Sequence, residues 1–398
     1  MRQAGRDLLS LALMDARNHT LHLLARHEDA ATQRASSPAP TPAEPLWLAG
    51  HVGWFAEFWI GRNTQRGLGT DCPPEPTRLA SIEPAADRWW RAEPWRDDIR
   101  AAADLPDFAA TRAYLLETLE STIEMLDKAP DEDRALYFYR LALFHEDLRG
   151  EELVSQAQAR GVALPLVLPG GMQVREPLLI PATRWMLGSP PGGFVFDNEK
   201  WAHEVAVPEF EIDAQPVTWA QFVEFVDDGG YDRQALWLPQ GWDWLQDKAA
   251  SEGRRGPRYV EQIGVASGAV MQTHFGKAAR MAGNQPAMHL SWWEADAWCR
   301  WAGRRLPSEA EWEVAAGSAA RRGFRWGDVH EWTASTLRPW PGFSADPWTS
   351  YSQPWFGQAR VMRGASFATR ARMKHPKFRG FAMPRRDDHF VGFRSCAI

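Results

Sequence analysis

Apolar residues recur at intervals of three and four through long stretches of the first 160 residues, the pattern of helices that each bury one stripe. Over 7–26 the stripe is Leu8, Leu11, Met14, Leu21 and Leu24. Further on, Phe108, Leu115, Leu119, Ile123 and Leu126 repeat it. Two Pro-containing interruptions, 36–45 and Ala129-Pro130-Asp131, cannot continue a helix, because proline lacks the amide donor and clashes with the preceding turn. The pattern therefore predicts helices near 7–26, 46–66, 106–128 and 132–160, the number an antiparallel four-helix bundle requires.

Beyond residue 160 the pattern changes. The stretch 161–181 is rich in Pro and Gly with short β-prone runs, and reads as a connector between two domains, 1–165 and 166–398. After it, glycine and proline punctuate the chain, and helical periodicity is confined to Trp219–Asp227, 291–302 and 308–315. The expected second domain is loop-rich α+β. Trp occurs 22 times, and 16 of these lie after residue 183, so that domain needs a core of indoles or an aromatic-lined cavity.

Composition narrows the function. With 398 residues, 44% of them apolar and 24% charged, the chain has the balance of a soluble two-domain protein. A net charge of −6 gives no overall field for a polyanion, so nucleic acid is excluded as the main partner. The longest apolar run, 8–14, is too short for a bilayer and has no signal-peptide cleavage context, which excludes a membrane partner and places the protein in the cytosol. Three widely spaced cysteines, Cys72, Cys299 and Cys396, form neither a disulfide framework nor a CxxC site.

Two histidines stand on expected inward faces. Trp47, His51, Trp54, Phe55 and Phe58 share one face of the second helix, and Phe138, Leu141, Ala142, His145, Leu148 and Glu152 follow the same rule on the fourth. Two readings are open: hydrogen-bonded core histidines, or ligands of one transition ion held between facing helices. A second His four residues after His145 would stand on the same helix face and complete a three-histidine site with His51, but Arg149 stands there. Two unit charges 4 Å apart repel by about 4 kcal/mol at an effective dielectric of 20, and a dication doubles this. A guanidinium cannot replace the ligand, so Arg149 must extend away, with water or Glu152 completing the site, or the metal has been lost. In the C-terminal half, HEWT (330–333), PWPGF (339–343) and GFR (392–394) contain no phosphate-loop or nucleophile-elbow chemistry.

Taken together, these stretches resemble the sulfoxide synthases that form ergothioneine and ovothiol. The pattern SSPAPTPAEPLWLAGHVGWFAEFW (36–59) and the HEDLRGEE helix are similar to their DinB-like four-helix bundle. The series GSPPGGFVFDNEKWAHEV, NQPAMHLSWWEADAWCRWAGRRLPSEAEWE, RVMRGASFAT and VGFR resembles a formylglycine-generating-enzyme domain with a C-type-lectin-like fold. The resemblance covers nearly the whole chain and implies a two-domain α+β protein. HED on the metal helix and the ending FRGFAMPRRDDHFVGFRSC are most similar to the selenoneine-forming branch.

The resemblance implies a mononuclear non-haem iron(II) enzyme that uses dioxygen to join a chalcogen to the imidazole of hercynine, the trimethylated betaine of histidine. His51 and His145 match two of the iron-binding histidines, and Arg149 replaces the third. Gly380, Phe381 and Ala382 stand where ergothioneine-forming relatives carry Asn-Trp-Asp, so a carboxylate for an amino-acid donor is missing and a selenosugar donor is expected, with a thiol donor the alternative. Because PWPGF lacks the family's tyrosine, Tyr351 is the expected proton donor. Trp332, Trp340, Phe381 and Arg149 are the expected substrate contacts, with rings facing the trimethylammonium. His330 replaces a family tryptophan and is read as a packing change. The resemblance further implies calcium in the second domain, without assigned ligands. No cysteine lies between Arg363 and Gly392, which excludes sulfatase activation. A betaine-binding protein without metal is the competing reading, supported by Arg149.

Overall fold

A computed structural model describes residues 1–33, 43–91, 105–264 and 269–398. Most of the Pro-rich interruption, 36–42, lies outside the described residues. The chain forms two units: Met1–Leu164 with Pro190–Lys200 and Pro341–Pro354, and Pro165–Ser189 with Trp201–Trp340 and Trp355–Ile398. A single boundary at 165 therefore does not describe the division. Two stretches from beyond residue 165 belong with the helices because their side chains are bound there. Phe194 stacks on Phe144 with ring centres 5.1 Å apart, Tyr137 donates its hydroxyl to Asp346 at 2.9 Å, and Arg2 pairs with Glu199 at 2.6 Å.

The first unit contains α1 (Arg6–Gln33), α2 (Ala43–Ala56), α3 (Ala86–Trp90), α4 (Phe108–Asp127) and α5 (Asp133–Arg160). Of these, α1, α2, α4 and α5 make the expected bundle, in which α1 and α2 each pack against both α4 and α5. Asp107 caps α4 by accepting the Ala110 amide at 2.8 Å, and α5 stops at Gly161, whose φ of +62° a side chain would strain. From Leu136 to Asp147 every residue of α5 is buried, so this helix runs through the interior.

The second predicted helix differs. Regular α-helix ends at Ala56 and passes into a π-helical turn, Glu57–Gly61, and the five-residue α3 has no counterpart among the expected elements. A bidentate ion pair holds α3, with Arg62 donating to Asp87 at 2.8 and 2.9 Å. It also closes tightly on α2, since a Cβ at Gly50 would fall 2.0 Å from the Trp90 indole nitrogen.

In the second unit β1 (Leu178–Ile180) and β2 (Thr183–Leu187) pair antiparallel with β4 (Phe210–Ile212) and β3 (His203–Val207) respectively. Strands β5 (Val260–Gly264), β6 (Ala269–His274) and β7 (Lys277–Met281) form an antiparallel meander. The last sheet has the order β10 (Gly380–Ala382), β9 (Arg360–Gly364), β8 (His330–Thr336), β11 (Val391–Phe393), with β8 and β11 parallel.

Three of its four helices, α6 (Trp219–Asp227), α8 (Trp292–Trp301) and α9 (Glu309–Ser318), begin with reciprocal capping boxes at Thr218, Ser291 and Ser308. The fourth, α7 (Pro239–Glu252), was not expected, because its Trp, Gly and Pro content obscures a helical period. Trp219, Trp237, Trp244, Trp292, Trp298 and Trp332 pack with Phe222, Phe225 and Phe393 in one buried cluster, so the indole-rich composition is largely a core. Buried arginines are paired, Arg363 with Glu313 at 2.6 Å and Arg379 with Glu309 at 2.6 Å. No helix among the described residues is long and apolar enough to cross a membrane.

Candidate functional site

Helical spacing stacks the side chains of α2 on one another. Trp47 and Trp54, one turn to either side of His51, hold its ring between them at centre distances of 4.7 and 5.4 Å and within 20° of parallel. The His51 Nδ1–H donates to the carbonyl of Trp90 at 2.8 Å. That acceptor is available because the last carbonyls of a helix lack partners within it, and α3 ends at Trp90. Trp47 uses the neighbouring carbonyl of Trp89 in the same way, at 3.0 Å. Asp87 locks α3 in place through Arg62 and the Trp54 indole, and these pairings hold its carboxyl down at about 2. The chain of contacts from Arg62 through Asp87 to Trp90 thus leaves the Nε2 lone pair of His51 facing inward.

His145 enters from α5. Its ring lies flat on Phe55, centres 3.7 Å apart and 8° from parallel, and meets Trp348 edge-on at 5.3 Å. Its Nε2 stands 3.2 Å from Nε2 of His51. Both imidazoles are fully enclosed. Burial first, then the charge of Arg149, pushes the His51 ring down to about 3. Burial, His51 and Arg149 in turn hold His145 well below its ordinary value. Both rings are therefore neutral at physiological pH.

Two imidazole nitrogens bonded at about 2.1 Å to one ion, at an angle near 90–100°, stand about 3 Å apart, so the observed pair fits adjacent positions on a transition ion. Among the described residues no three His, Cys, Asp or Glu side chains gather as a ligand group, and Glu152 does not complete one. Nor does Arg149 extend away. It points its Nε–H at Nε2 of His145 from 3.4 Å, one helical turn along α5.

Tyr351 stacks on Phe196 at 4.9 Å and meets Trp348 at 4.8 Å with the rings tilted by 35°, which puts it one ring removed from His145. Burial, Glu199 and Asp197 hold its hydroxyl well above the usual range, so it keeps its proton. The structure thus brings together His51, His145, Arg149 and Tyr351. Trp332 does not line a chamber. It has no exposed surface, its N–H donates to the Leu290 carbonyl at 2.8 Å, and it is a core residue of the second unit. Trp340 and Phe381 also belong to the second unit, Trp340 carrying the Arg379 guanidinium at 4.4 Å on its face and Phe381 lying beside Trp355. A substrate role for these two rests on the resemblance.

Sequence reasoning missed Trp90, Trp348 and Asp197. The pair of tryptophans in ADRWW was the only available signal for the first, and FDNE for the third. Asp197 is buried, accepts the Ser352 hydroxyl at 2.7 Å, and is pushed up to about 7 by burial and by Asp346. Asp346 itself accepts from Tyr137 and the Lys200 ammonium. The folded chain therefore holds a proton on Asp197 between about pH 4 and 7 that the unfolded chain releases, and this contribution to stability is lost as pH rises through that window. Asp197→Asn should stabilise the protein more at pH 8 than at pH 5, read from urea midpoints. An offset that is equal at both pH values would contradict the assignment.

Comparison with known proteins divides the chain once along its sequence, near residue 165, without the interleaving of the two folded units. A family model described as the DinB superfamily matches residues 12–154, and one described as a sulfatase-modifying factor enzyme 1-like domain matches 165–328 and 323–397. The chain is 31% identical to the hercynine oxygenase of Mycolicibacterium smegmatis, over 98% of both proteins. It is 30% identical to that of Mycolicibacterium thermoresistibile, over 97% of this chain and 94% of that protein. A formylglycine-generating enzyme from Streptomyces coelicolor is 34% identical over 39% of this chain and 51% of its own length.

Proposed function

Because the chain belongs to the hercynine oxygenase family, with a DinB-type bundle followed by a sulfatase-modifying-factor domain, we propose that it is an oxygen-dependent iron enzyme acting on hercynine in the cytosol. The observation that carries this reading is the pair of neutral imidazoles, His51 and His145, whose Nε2 atoms lie 3.2 Å apart in a buried site. These two residues would hold iron(II). The ion would supply one-electron chemistry with dioxygen and open positions for substrate.

The chain's own groups do the rest. Trp90 fixes the His51 tautomer through its carbonyl, while Trp47, Trp54, Phe55 and Trp348 wall the rings and exclude water. An indole face suits a trimethylammonium. Tyr351 holds a proton on its hydroxyl within the same cluster and is the proposed donor.

The bond formed joins a chalcogen to an imidazole carbon of the betaine in place of its hydrogen: the C–H and chalcogen–hydrogen bonds break, and dioxygen takes the two electrons released together with two from oxidation of the chalcogen to its oxide, leaving one water. A selenosugar is the proposed donor, since Phe381 and Ala382 leave no carboxylate for an amino-acid ammonium. A thiol donor is the alternative. Purified protein given iron(II), hercynine, a selenosugar and air should yield a selenium-containing product by mass spectrometry, and cysteine or γ-glutamylcysteine in its place separates the two donors. No product with any donor would sink the enzyme reading. One observation favours a metal-free betaine binder instead, the Arg149 contact with His145. Near-stoichiometric iron retained after anaerobic reconstitution would exclude it.

A further inference from the structure

The three nitrogens around the imidazole pair cannot all be satisfied at once. His51 has its proton on Nδ1, donated to Trp90, so its Nε2 carries a lone pair. Nδ1 of His145 is buried without a hydrogen-bond partner. If His145 carries its proton on Nε2, it donates to His51, but the Arg149 Nε–H then faces another N–H. If the proton sits on Nδ1, His145 accepts from Arg149 and two lone pairs confront each other across 3.2 Å. Neither neutral arrangement satisfies all three nitrogens.

A cation between the two lone pairs would resolve it, but only with the guanidinium withdrawn. Arg149 and a dication would otherwise crowd three positive charges at one buried nitrogen, and no carboxylate among the described residues joins the imidazoles to offset them. An arginine side chain can withdraw, having a long stem and a planar fork that matches a carboxylate bidentately. The proposed substrate carries a carboxylate next to its imidazole.

We infer that Arg149 is a substrate-operated lock on the metal site: its guanidinium occupies the His145 lone pair until the betaine carboxylate draws it off, so that metal and carboxylate-bearing substrate each bind more tightly in the other's presence. The inference rests on the proposed metal role of His51 and His145. It makes Arg149 a substrate contact and a regulator of loading.

Thermodynamic linkage makes the effect reciprocal and measurable without turnover. The full chain is titrated anaerobically with iron(II), alone, with hercynine, and with the trimethylated amine that has the same imidazole but no carboxylate. Hercynine should tighten iron binding at least about tenfold more than the carboxylate-free analogue does, within the usual range of such couplings. Arg149→Met should bind iron tightly without any substrate and respond equally to hercynine and to the analogue. Equal iron affinity with hercynine and with the analogue, or an undiminished gap between them in Arg149→Met, would overturn the lock while leaving the metal site standing. Iron bound by neither protein under any condition would remove the metal site and the lock together.

Discussion

His145→Gln should reduce product formation at least about a hundredfold and strip the protein of iron, while leaving its helical content unchanged. The magnitude is a lower bound: removing a group one shell out from a metal already costs 10- to 100-fold, and among the described residues no third His, Cys, Asp or Glu joins His51 and His145 to make up the loss. Glutamine keeps the volume of the side chain against Phe55 and Trp348, so packing is largely preserved. The contrast with position 149 is informative, since Arg149→Met removes a neighbour of the same nitrogen and is expected to strengthen metal binding. Iron content, circular dichroism and kcat/KM on the two variants check the pair of outcomes. Retained iron in His145→Gln would show that this imidazole is a core residue.

Glu146→Ala should destabilise the first unit by about 3–5 kcal/mol, the usual cost of leaving one member of a buried ion pair alone. Arg17 on α1 reaches across the bundle to Glu146 on α5 with bonds of 2.9 and 3.2 Å, and both side chains are almost fully enclosed, at 2% and 4% exposure. Thr20 adds a third bond to the carboxylate at 2.8 Å, and Thr118 accepts from Arg17 at 3.1 Å. Deleting the carboxylate strands a guanidinium in the interior next to the residue that presents His145. The double variant Arg17→Met with Glu146→Leu should recover most of the loss, because no charge is then left unpaired. Urea unfolding of the single and double variants measures both. A loss below about 1 kcal/mol for Glu146→Ala would mean that the pair is solvated in solution.

The site was legible where it depends on helical period. His51 among Trp47, Trp54 and Phe55, and His145 among Phe138, Leu141 and Ala142, show their inward faces in the spacing alone, and the structure turns them toward each other. The family pattern supplied the two-domain architecture. What stayed hidden depends on tertiary packing. Trp90 acts through a backbone carbonyl, which leaves no mark in side-chain chemistry, and α3 is too short to show a period. Trp348 and Asp197 come from segments far along the chain from the helices they fold against, Trp348 meeting Phe55 of α2 as well as His145 of α5. The direction of Arg149 could not be read either, because a long side chain at an inward turn can point along the helix or off it. The abundance of indoles left a core and an aromatic-lined cavity both open, and Trp332 and most of its neighbours fill a core.

X-ray absorption at the iron edge of the anaerobically reconstituted, hercynine-bound protein tests the central claim most directly. The account predicts imidazole nitrogen scattering at metal–ligand distance that falls by one ring in His51→Ala and by one in His145→Gln. Iron bound with a scattering pattern unchanged by either substitution, or no bound iron at all, would contradict it.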